Sequence, residues 1–288
     1  MTPLIVGKGN ANILIDYGDP RYLYRCCIKY PRSISQNNYY TMENFRFIQE
    51  EIHPLLGDLI CPMEIVNVKL QDIYTAYKTY VEDSNSEEIT NIVCIKLPNL
   101  RRAQTCTDLL QSDHATNVYM NTQKTSVILE IKPKWLHNPM EFCRNCTDNM
   151  RKGRSTNYCY SAVVSGKYDT NIPLDESAKR KVPPEMLKDL TQYFKQENNV
   201  LKKLLEVQKK LYENRLSSIK SEDDVDMTFQ ILMTLRDITC FLEWRDTSDP
   251  KGRIHVNIVD VDLKQTSKWE HWTKTHKLLS EYPDKISH

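Results

Sequence analysis

Two aspartates that lie far apart in the sequence have the surroundings that phosphoryl transfer requires. Asp237 follows Arg236 and precedes an apolar run, and Asp260 follows the apolar pair Ile258 and Val259. Phosphoryl transfer needs one carboxylate that accepts the proton of the attacking hydroxyl and another that holds the Mg²⁺ bridging the nucleotide phosphates. We therefore expect Asp237 to be the base and Asp260 to be the magnesium ligand. Capping or salt bridging is the alternative explanation for two such aspartates.

Lys132 and Lys134 form a pair of cations on either side of Pro133, directly after the apolar segment 127–131. Side chains two residues apart on an extended segment point the same way, and a proline disfavours helical geometry in the residue before it. The two ammonium groups should therefore project together from a rigid support, where a polyanion could bind between them. A strand end with solvated lysines is the alternative.

A glycine turn near the start of the sequence is the candidate nucleotide loop. It lies between two predicted strands, an arrangement that lays backbone N–H groups over nucleotide phosphates, although a plain hairpin has the same pattern. Its candidate contacts are Gly7, Gly9, Asn10 and Asn12. The next predicted strand, 24–30, carries Arg25 and Lys29 on one face, and either cation could reach the nucleotide phosphates.

The spacing of apolar residues predicts the elements around this loop. Segments 60–67 and 89–97 are predicted as strands, and segments 40–56 and 70–81 as helices. After Leu97 the composition changes, so we expect a hinge there, with adenine held by the backbone around Leu97 and Asn99.

These elements predict an α+β, two-lobed, kinase-like fold. Residues 1–98 would form a nucleotide-binding N-lobe built on an antiparallel sheet. Residues 99–288 would form a larger α/β C-lobe for substrate binding and catalysis, with the active site between the lobes.

The composition excludes several classes of protein. The 288 residues carry a net charge of +1, from 39 basic and 38 acidic residues, whereas domains that coat nucleic acid are usually strongly basic. A hydrophobic content of 40% can fill a core, and no apolar run approaches the roughly 18 residues of a membrane span. No secretory signal is visible, and the nine cysteines suggest no disulfide ladder. We expect an intracellular monomer with reduced thiols and no direct nucleic-acid or membrane binding.

Three cysteines have spacings that suit zinc. Cys143 and Cys146 form a C-x2-C pair, and Cys159 lies further along the same segment. Cys61 is the candidate fourth ligand, with His53 or Cys106 as substitutes, and three reduced cysteines in a loop are the alternative. Four protein ligands would leave no open position, so such a zinc would be structural.

The order of the motifs resembles that of the inositol-pentakisphosphate 2-kinases, particularly their short fungal members. The resemblance covers nearly the whole chain, in segments near 7–12, 130–136, 143–149, 198–199, 235–241 and 258–264. Its clearest parts are Glu130-Ile131-Lys132-Pro133-Lys134-Trp135-Leu136 and Val259-Asp260-Val261-Asp262-Leu263-Lys264. It implies ATP-dependent phosphorylation of the axial 2-hydroxyl of inositol 1,3,4,5,6-pentakisphosphate to the hexakisphosphate (phytate). It also implies ATP and Mg²⁺ as cofactors, structural zinc as in larger members, and a nuclear location.

The resemblance also implies roles for individual residues. Asp237 would be the base, Lys132 a transition-state cation, and Asp260 the magnesium ligand, with Asp262 as a further candidate. Glu130 and Asn199 would lie near the nucleotide. The substrate phosphates would contact Lys132, Lys134, Arg144, Asn198, Asn199, Lys264, Lys268 and Trp272.

Some of these positions depart from the family pattern. Lys264, Lys268 and Trp272 recur every four residues and would form one stripe on a helix, but Lys268 and Trp272 replace an arginine and a tyrosine. Leu201 stands where the family has an arginine, with Lys202 beside it. Additional positive charge comes from Arg151, Lys152 and Arg154.

The substrate explains why local clusters of cations matter more than the net charge. Five phosphates at about −1.5 to −2 each give a ligand of roughly −8 to −10. A site for it needs several Lys and Arg side chains around one pocket. A non-catalytic inositol polyphosphate receptor would need the same cations, and the two aspartates favour the enzyme.

Overall fold

Each of two compact units contains one antiparallel sheet with helices around it. The computed structural model describes residues 3–82, 89–102, 105–154, 158–166, 172–212, 215–249 and 252–288. One unit consists of Met1–Pro54 and Ile60–Gln104, and the other of Leu55–Leu59 and Thr105–His288. The predicted α+β class is confirmed.

The first unit is a five-stranded sheet in the order β1-β2-β3-β5-β4. Its strands are β1 (Leu4–Lys8), β2 (Asn12–Asp16), β3 (Tyr22–Cys27), β4 (Glu64–Lys69) and β5 (Asn91–Pro98). Ile13, Ile15 and Cys26 point into a core with Ile73 and Tyr77, because alternate residues of a strand face the same side.

The helices of this unit begin with α1 (Ile34–Phe47), six residues before the predicted start. The Ser33 side chain caps it by accepting a hydrogen bond from the Gln36 backbone N–H. A π-helical turn, Ile48–Ile52, leads into α2 (His53–Leu56), whose last two residues belong to the second unit. Helix α3 (Leu70–Tyr77) connects β4 to β5.

The second unit has a five-stranded sheet in the order β10-β9-β8-β7-β6. Its strands are β6 (Asp108–Ser112), β7 (Thr116–Met120), β8 (Ser126–Ile131), β9 (Thr239–Arg245) and β10 (Ile254–Val259). The central strand β8 has almost no polar face, since Val127, Ile128, Leu129 and Ile131 are fully buried. Both of its faces are therefore covered.

Eight helices are described in the second unit, together with 3-10 turns at Gly57–Leu59, Glu222–Asp224 and Thr266–Lys268. They are α4 (Arg144–Arg151), α5 (Tyr160–Val164), α6 (Glu176–Lys181), α7 (Pro184–Lys195), α8 (Val200–Leu211), α9 (Arg215–Ser218), α10 (Met227–Leu235) and α11 (Trp269–Glu281). Among the described residues, none of the helices combines the length and the apolar character that a membrane crossing requires.

Candidate active site

Three strand ends meet at one edge of the second sheet. Ile131, the last residue of β8, pairs with Cys240 of β9, and Val259, the last residue of β10, pairs with Thr239. Antiparallel neighbours place the end of one strand beside the start of the next. The chain segments that carry Lys132, Asp237 and Asp260 are therefore brought together.

Asp237 lies between two ammonium groups. Lys134 Nζ is 2.8 Å from Asp237 Oδ1, and Lys264 Nζ is 3.2 Å from Asp237 Oδ2. Burial alone would raise the pKa of this carboxyl, but the charges of Lys134, Lys264 and Arg236 outweigh burial and hold the pKa well below its usual range. Asp237 is therefore ionised at neutral pH.

Asp260 and Lys134 both have left-handed backbones, with φ of 62° and 58°. This region is unfavourable for residues other than glycine and persists where the surroundings impose it, often at functional sites. The Thr239 hydroxyl donates to Asp260 Oδ2 at 2.6 Å, while the Asp260 residue as a whole is exposed. An oriented, exposed carboxylate is suited to binding a hard cation such as Mg²⁺. Asp262 is nearby in sequence, and its carbonyl accepts from Thr234 Oγ1 at 2.8 Å.

A pocket of about 440 Å³ opens beside Asp237 and is strongly cationic. Its lining includes two aspartates, Asp148 and Asp237, and seven lysines and arginines: Lys132, Lys134, Arg144, Arg151, Lys152, Arg154 and Arg236. Asp148 forms ion pairs with Arg151 and Lys152 and fixes both on α4. The pocket can therefore bind a ligand of high negative charge.

Arg144 and Arg236 lie over the ring of Trp135, with Cζ atoms 5.3 and 5.7 Å from the ring centroid. Arg144 is buried, and its Nη1 donates to His276 Nδ1 at 3.0 Å. Burial, with a smaller effect of the Arg236 charge, lowers the pKa of Arg144 to about 10. Arg144 Nη2 and Arg236 Nε have no hydrogen-bond partner among the residues that the structure describes. A bound anion would compensate these two charges.

The predicted stripe of Lys264, Lys268 and Trp272 is not formed, because α11 begins only at Trp269. Lys264 reaches Asp237, as described above. Lys268 is exposed at the start of the helix. Trp272 is instead a core residue, 2% exposed, whose ring lies 5.5 Å from that of Phe229. Only the first of the three is in the site.

The structure gives Asn199 a capping role, and its predicted contacts with nucleotide and substrate stay predictions. Its Oδ1 accepts from the backbone N–H groups of Leu201 and Lys202 at the start of α8. Its Nδ2 donates to the carbonyls of Phe194 and Gln196. The amide is thus saturated by backbone groups in a buried position, which leaves it no free donor for a ligand. Asn198 is exposed beside it.

Glu130 lies on β8, where the Tyr119 hydroxyl donates to its Oε2 at 3.4 Å. Its predicted place near the nucleotide stays a prediction.

Two further groups of candidate nucleotide contacts lie in the first unit, one at the glycine turn and one at the end of β5. Gly7 ends an irregularity in β1, the Gly9 N–H donates to the Asn12 carbonyl at 2.8 Å, and Asn10 is exposed between them. Leu97 is on β5, and the Asn99 N–H donates to the Arg21 carbonyl at 2.8 Å. Their roles toward ATP stay predictions.

The two candidate phosphate-binding cations of the first unit have different surroundings. Arg25 is buried on β3. Lys29 lies beyond the end of β3, and its Nζ is 3.8 Å from the ring centroid of Tyr40. The choice between them stays open.

A second cluster, of four side chains, has the donors of a metal site. The ligand atoms of Cys143, Cys146, Cys159 and His288 all lie within 4.8 Å of one another. Cys143 Sγ is 3.6 Å from Cys159 Sγ, and Cys146 Sγ is 3.2 Å from His288 Nε2. Hydrogen bonds from Cys143 and Cys146 lower the pKa of the Cys159 thiol. Three sulfurs and an imidazole suit tetrahedral zinc.

His288, and not Cys61, is the fourth member of this cluster. Cys61 belongs to the first unit, and burial raises the pKa of its thiol to about 12. The substitutes His53 and Cys106 are not in the cluster either; Cys106 packs against Tyr119 and Ile128.

The backbone around Ile286 explains how His288 reaches the cluster. The Cys143 N–H donates to the Ile286 carbonyl at 2.7 Å, and the Ile286 N–H donates to Thr147 Oγ1 at 3.2 Å. No spacing between residues in the sequence could have indicated that His288 lies beside the three cysteines.

Sequence reasoning did not assign Arg236 to the site, although it directly precedes Asp237. It also did not assign His114 and His271, which line the pocket. Adjacency to Asp237 was the available signal for Arg236. The histidines are brought in by tertiary structure.

Comparison with known proteins identifies the class and then the family. A carboxylate paired with two ammonium groups, beside a pocket of many cations, has the groups that the kinase class of enzymes uses for phosphoryl transfer. The inositol-pentakisphosphate 2-kinase family model matches residues 6–171 and 145–277. The chain belongs to this family, which confirms the resemblance seen in the sequence.

Two fungal relatives align over nearly their whole lengths. The inositol-pentakisphosphate 2-kinase of Saccharomyces cerevisiae is 40% identical over 287 residues, which cover 99% of this chain and 98% of that protein. The inositol-pentakisphosphate 2-kinase of Candida glabrata is 37% identical over 288 residues, which cover 99% of this chain and 100% of that protein.

Proposed function

We propose that this chain transfers the γ-phosphoryl group of ATP to the 2-hydroxyl of inositol 1,3,4,5,6-pentakisphosphate and so forms the hexakisphosphate. The observation that carries the proposal is Asp237, ionised between Lys134 and Lys264 at the edge of a cationic pocket. Membership of the 2-kinase family supports the choice of substrate and hydroxyl.

The pocket matches the charge of this substrate. Seven lysines and arginines line it, against a ligand of roughly −8 to −10. Arg144 and Arg236 contribute buried positive charge, and Arg151 and Lys152 are held by Asp148. The phosphates of the ligand would neutralise these cations. A polyphosphate carries enough negative charge to do so, whereas a singly phosphorylated alcohol does not, so the pocket should select the polyphosphate.

The low pKa of Asp237 has a consequence for its role as the base. With both lysines paired to it, the carboxylate is a weak proton acceptor. Phosphates that enter the pocket compete for the Lys134 and Lys264 ammonium groups, and the basicity of Asp237 rises as either ion pair weakens. In the transfer step Asp237 takes the proton of the 2-hydroxyl, whose oxygen forms the new bond to phosphorus as the bond to ADP breaks. Lys132 and Lys134 stabilise the charge that develops on the transferred group.

Asp260 is the residue that would hold magnesium, with Asp262 as a second candidate. A Mg²⁺ ion held there would supply positive charge to the phosphates of the nucleotide. The chain's own contribution is to fix the carboxylate, through the left-handed backbone of Asp260 and the hydrogen bond from Thr239. The ATP phosphates would contact the Gly7–Asn12 turn, with Arg25 or Lys29 nearby.

The Cys143, Cys146, Cys159 and His288 cluster would hold a structural zinc ion. All four ligand positions would be protein atoms, so the metal would have no catalytic opening. Its role would be to join the starts of α4 and α5, which border the pocket, to the segment around Ile286.

Incubation with ATP, Mg²⁺ and the pentakisphosphate, followed by anion-exchange chromatography, tests the function. We expect a single new product that co-elutes with the hexakisphosphate and depends on Asp237. Well-folded protein that binds hexakisphosphate but gives no product would instead support the receptor.

Two further parts of the proposal rest on the family relationship and the sequence alone. We propose a nuclear location, which imaging of the tagged chain tests. We also propose a monomer, which light scattering after size exclusion tests.

A further inference from the structure

Gln208, on α8, is fully buried and makes four hydrogen bonds, all of them to backbone groups. Its Oε1 accepts from the N–H of Leu136 at 2.8 Å and from that of His137 at 3.1 Å. Its Nε2 donates to the carbonyl of Lys134 at 3.0 Å and to that of Leu235 at 3.4 Å. A neutral amide can bond two donors and two acceptors in this way, so its hydrogen-bonding capacity is filled.

The four bonds join the two segments that carry the central ion pair. Lys134 contributes the ammonium group 2.8 Å from Asp237, and Leu235 precedes Asp237 by two residues at the end of α10. The Leu235 carbonyl lies in the last turn of its helix, where carbonyls lack an intrahelical partner. Gln208 is thus a direct bridge between the backbone of the cation and the backbone leading to the base.

The segment 133–137 depends on such side-chain bonds because it leaves the sheet after Ile131. Asn145 holds its other side, accepting from the Trp135 N–H at 3.2 Å and donating to the carbonyls of Pro133 and Trp135. Between these bonds Lys134 adopts its left-handed backbone. A non-glycine residue keeps that conformation only where surrounding contacts impose it.

We propose that Gln208 is a positioning residue for phosphoryl transfer. By holding the carbonyls of Lys134 and Leu235 at once, it fixes the positions of the two backbone segments from which the Lys134 and Asp237 side chains extend. Gln208 acts through these two residues, since its own side chain is buried and saturated by backbone groups. The proposal rests on the proposed kinase function.

Gln208→Glu is the sharpest variant because it keeps the size of the side chain and loses the two N–H donors. A carboxylate there would face the carbonyls of Lys134 and Leu235 and repel them. We expect kcat to fall about 10- to 100-fold, while the Kd for hexakisphosphate changes less than about threefold. Gln208→Met removes all four bonds without adding charge, and serves if the glutamate variant does not fold.

A double-mutant cycle with Lys134→Ala separates positioning from general destabilisation. If Gln208 acts through Lys134, then Gln208→Glu should lower kcat by less than about threefold once Lys134 is alanine. Asn121→Asp is the matched control, because it makes the same amide-to-carboxylate change in the turn at the opposite end of β8. It should leave kcat within about twofold of the wild type.

Two results would overturn the positioning role. One is a kcat near the wild-type value in a folded Gln208 variant, and the other is equal losses with and without Lys134. Absence of turnover in the wild type would be a different result, since it refutes the kinase function itself.

Discussion

Replacing Asp237 by asparagine removes the proposed base with little change in shape. A positioned general base contributes typically about 10²- to 10⁴-fold to a rate, so kcat should fall by about that factor. The fold should survive. Each of the two ion pairs to Asp237 is partly exposed, and such pairs contribute about 0.2–1 kcal/mol. The free energy of unfolding should therefore fall by no more than about 2 kcal/mol.

Although the Asp237→Asn variant should lose activity, its affinity for the product should not fall. Asp237 is a negative charge beside a site for phosphates, and removing it also frees Lys134 and Lys264 to bind them. One unit of charge at about 6 Å and an effective dielectric constant of about 20 is worth about 3 kcal/mol before screening by salt. We expect the hexakisphosphate Kd of Asp237→Asn to be unchanged or up to about tenfold lower.

Three measurements on the same preparation decide the matter: turnover by anion-exchange chromatography, hexakisphosphate affinity by calorimetry, and thermal unfolding. Retention of kcat within about tenfold of the wild type would refute Asp237 as the base. Weaker product binding would refute the placement of phosphates beside it.

The pH dependence of stability gives a further check on the low pKa of Asp237. A carboxyl with a depressed pKa adds stability above its unfolded pKa of about 3.9 and loses it as pH falls toward the folded value. The asparagine variant should lose stability less steeply below about pH 4.

Three further predictions concern the metals and the pocket. Asp260→Asn should abolish activity at all Mg²⁺ concentrations. Its melting temperature should stay within a few degrees of the wild type, because asparagine tolerates a left-handed backbone. Restored activity at high Mg²⁺ would show that the carboxylate is dispensable. Arg236→Met should raise the hexakisphosphate Kd by about 10-fold or more. The control Lys268→Met, at an exposed position, should change this Kd less than about twofold. Equal effects of the two substitutions would argue against a buried phosphate contact at Arg236. Cys146→Ser should reduce bound zinc, measured by elemental analysis, and lower the melting temperature by several degrees; full zinc content in this variant would contradict the assigned ligands.

Local patterns were enough to predict the strands of the first unit, the central strand β8 and two helical segments of the first unit. Alternating apolar residues indicated the strands of the first unit, and the central strand β8 was visible as a short apolar run before Lys132. The start of α1 was missed because apolar periodicity begins only at Tyr40, although Ser33 carries the capping signal. The polar segment before residue 125 concealed β6 and β7.

The site residues that are consecutive in the sequence or belong to a family motif were predictable. Those that reach the site only through tertiary structure were harder to predict. The pairing of Asp237 with Lys134 and Lys264 follows from strand ends that meet, and the motifs alone indicated the participants. Trp272 was misplaced because four-residue spacing says which residues share a helix face only if the helix extends over all of them. Nothing in the sequence near residue 143 indicates His288, whose approach depends on backbone hydrogen bonds to α4.

The architecture also explains how so many charges can be gathered without destroying the fold. The apolar side chains of β8 are buried on both of its faces, and Lys132, Asp237 and Asp260 all lie just beyond the ends of the strands. Beyond that edge the backbone at 133–137 has no strand partner, so the buried amide of Gln208 and the half-buried amide of Asn145 supply hydrogen bonds to it. Neutral amides suit this task, because they satisfy donors and acceptors without adding charge to the Asp237 site. A cluster of like charges needs uncharged support behind it, and the residues that provide this support are those that motif comparison overlooks.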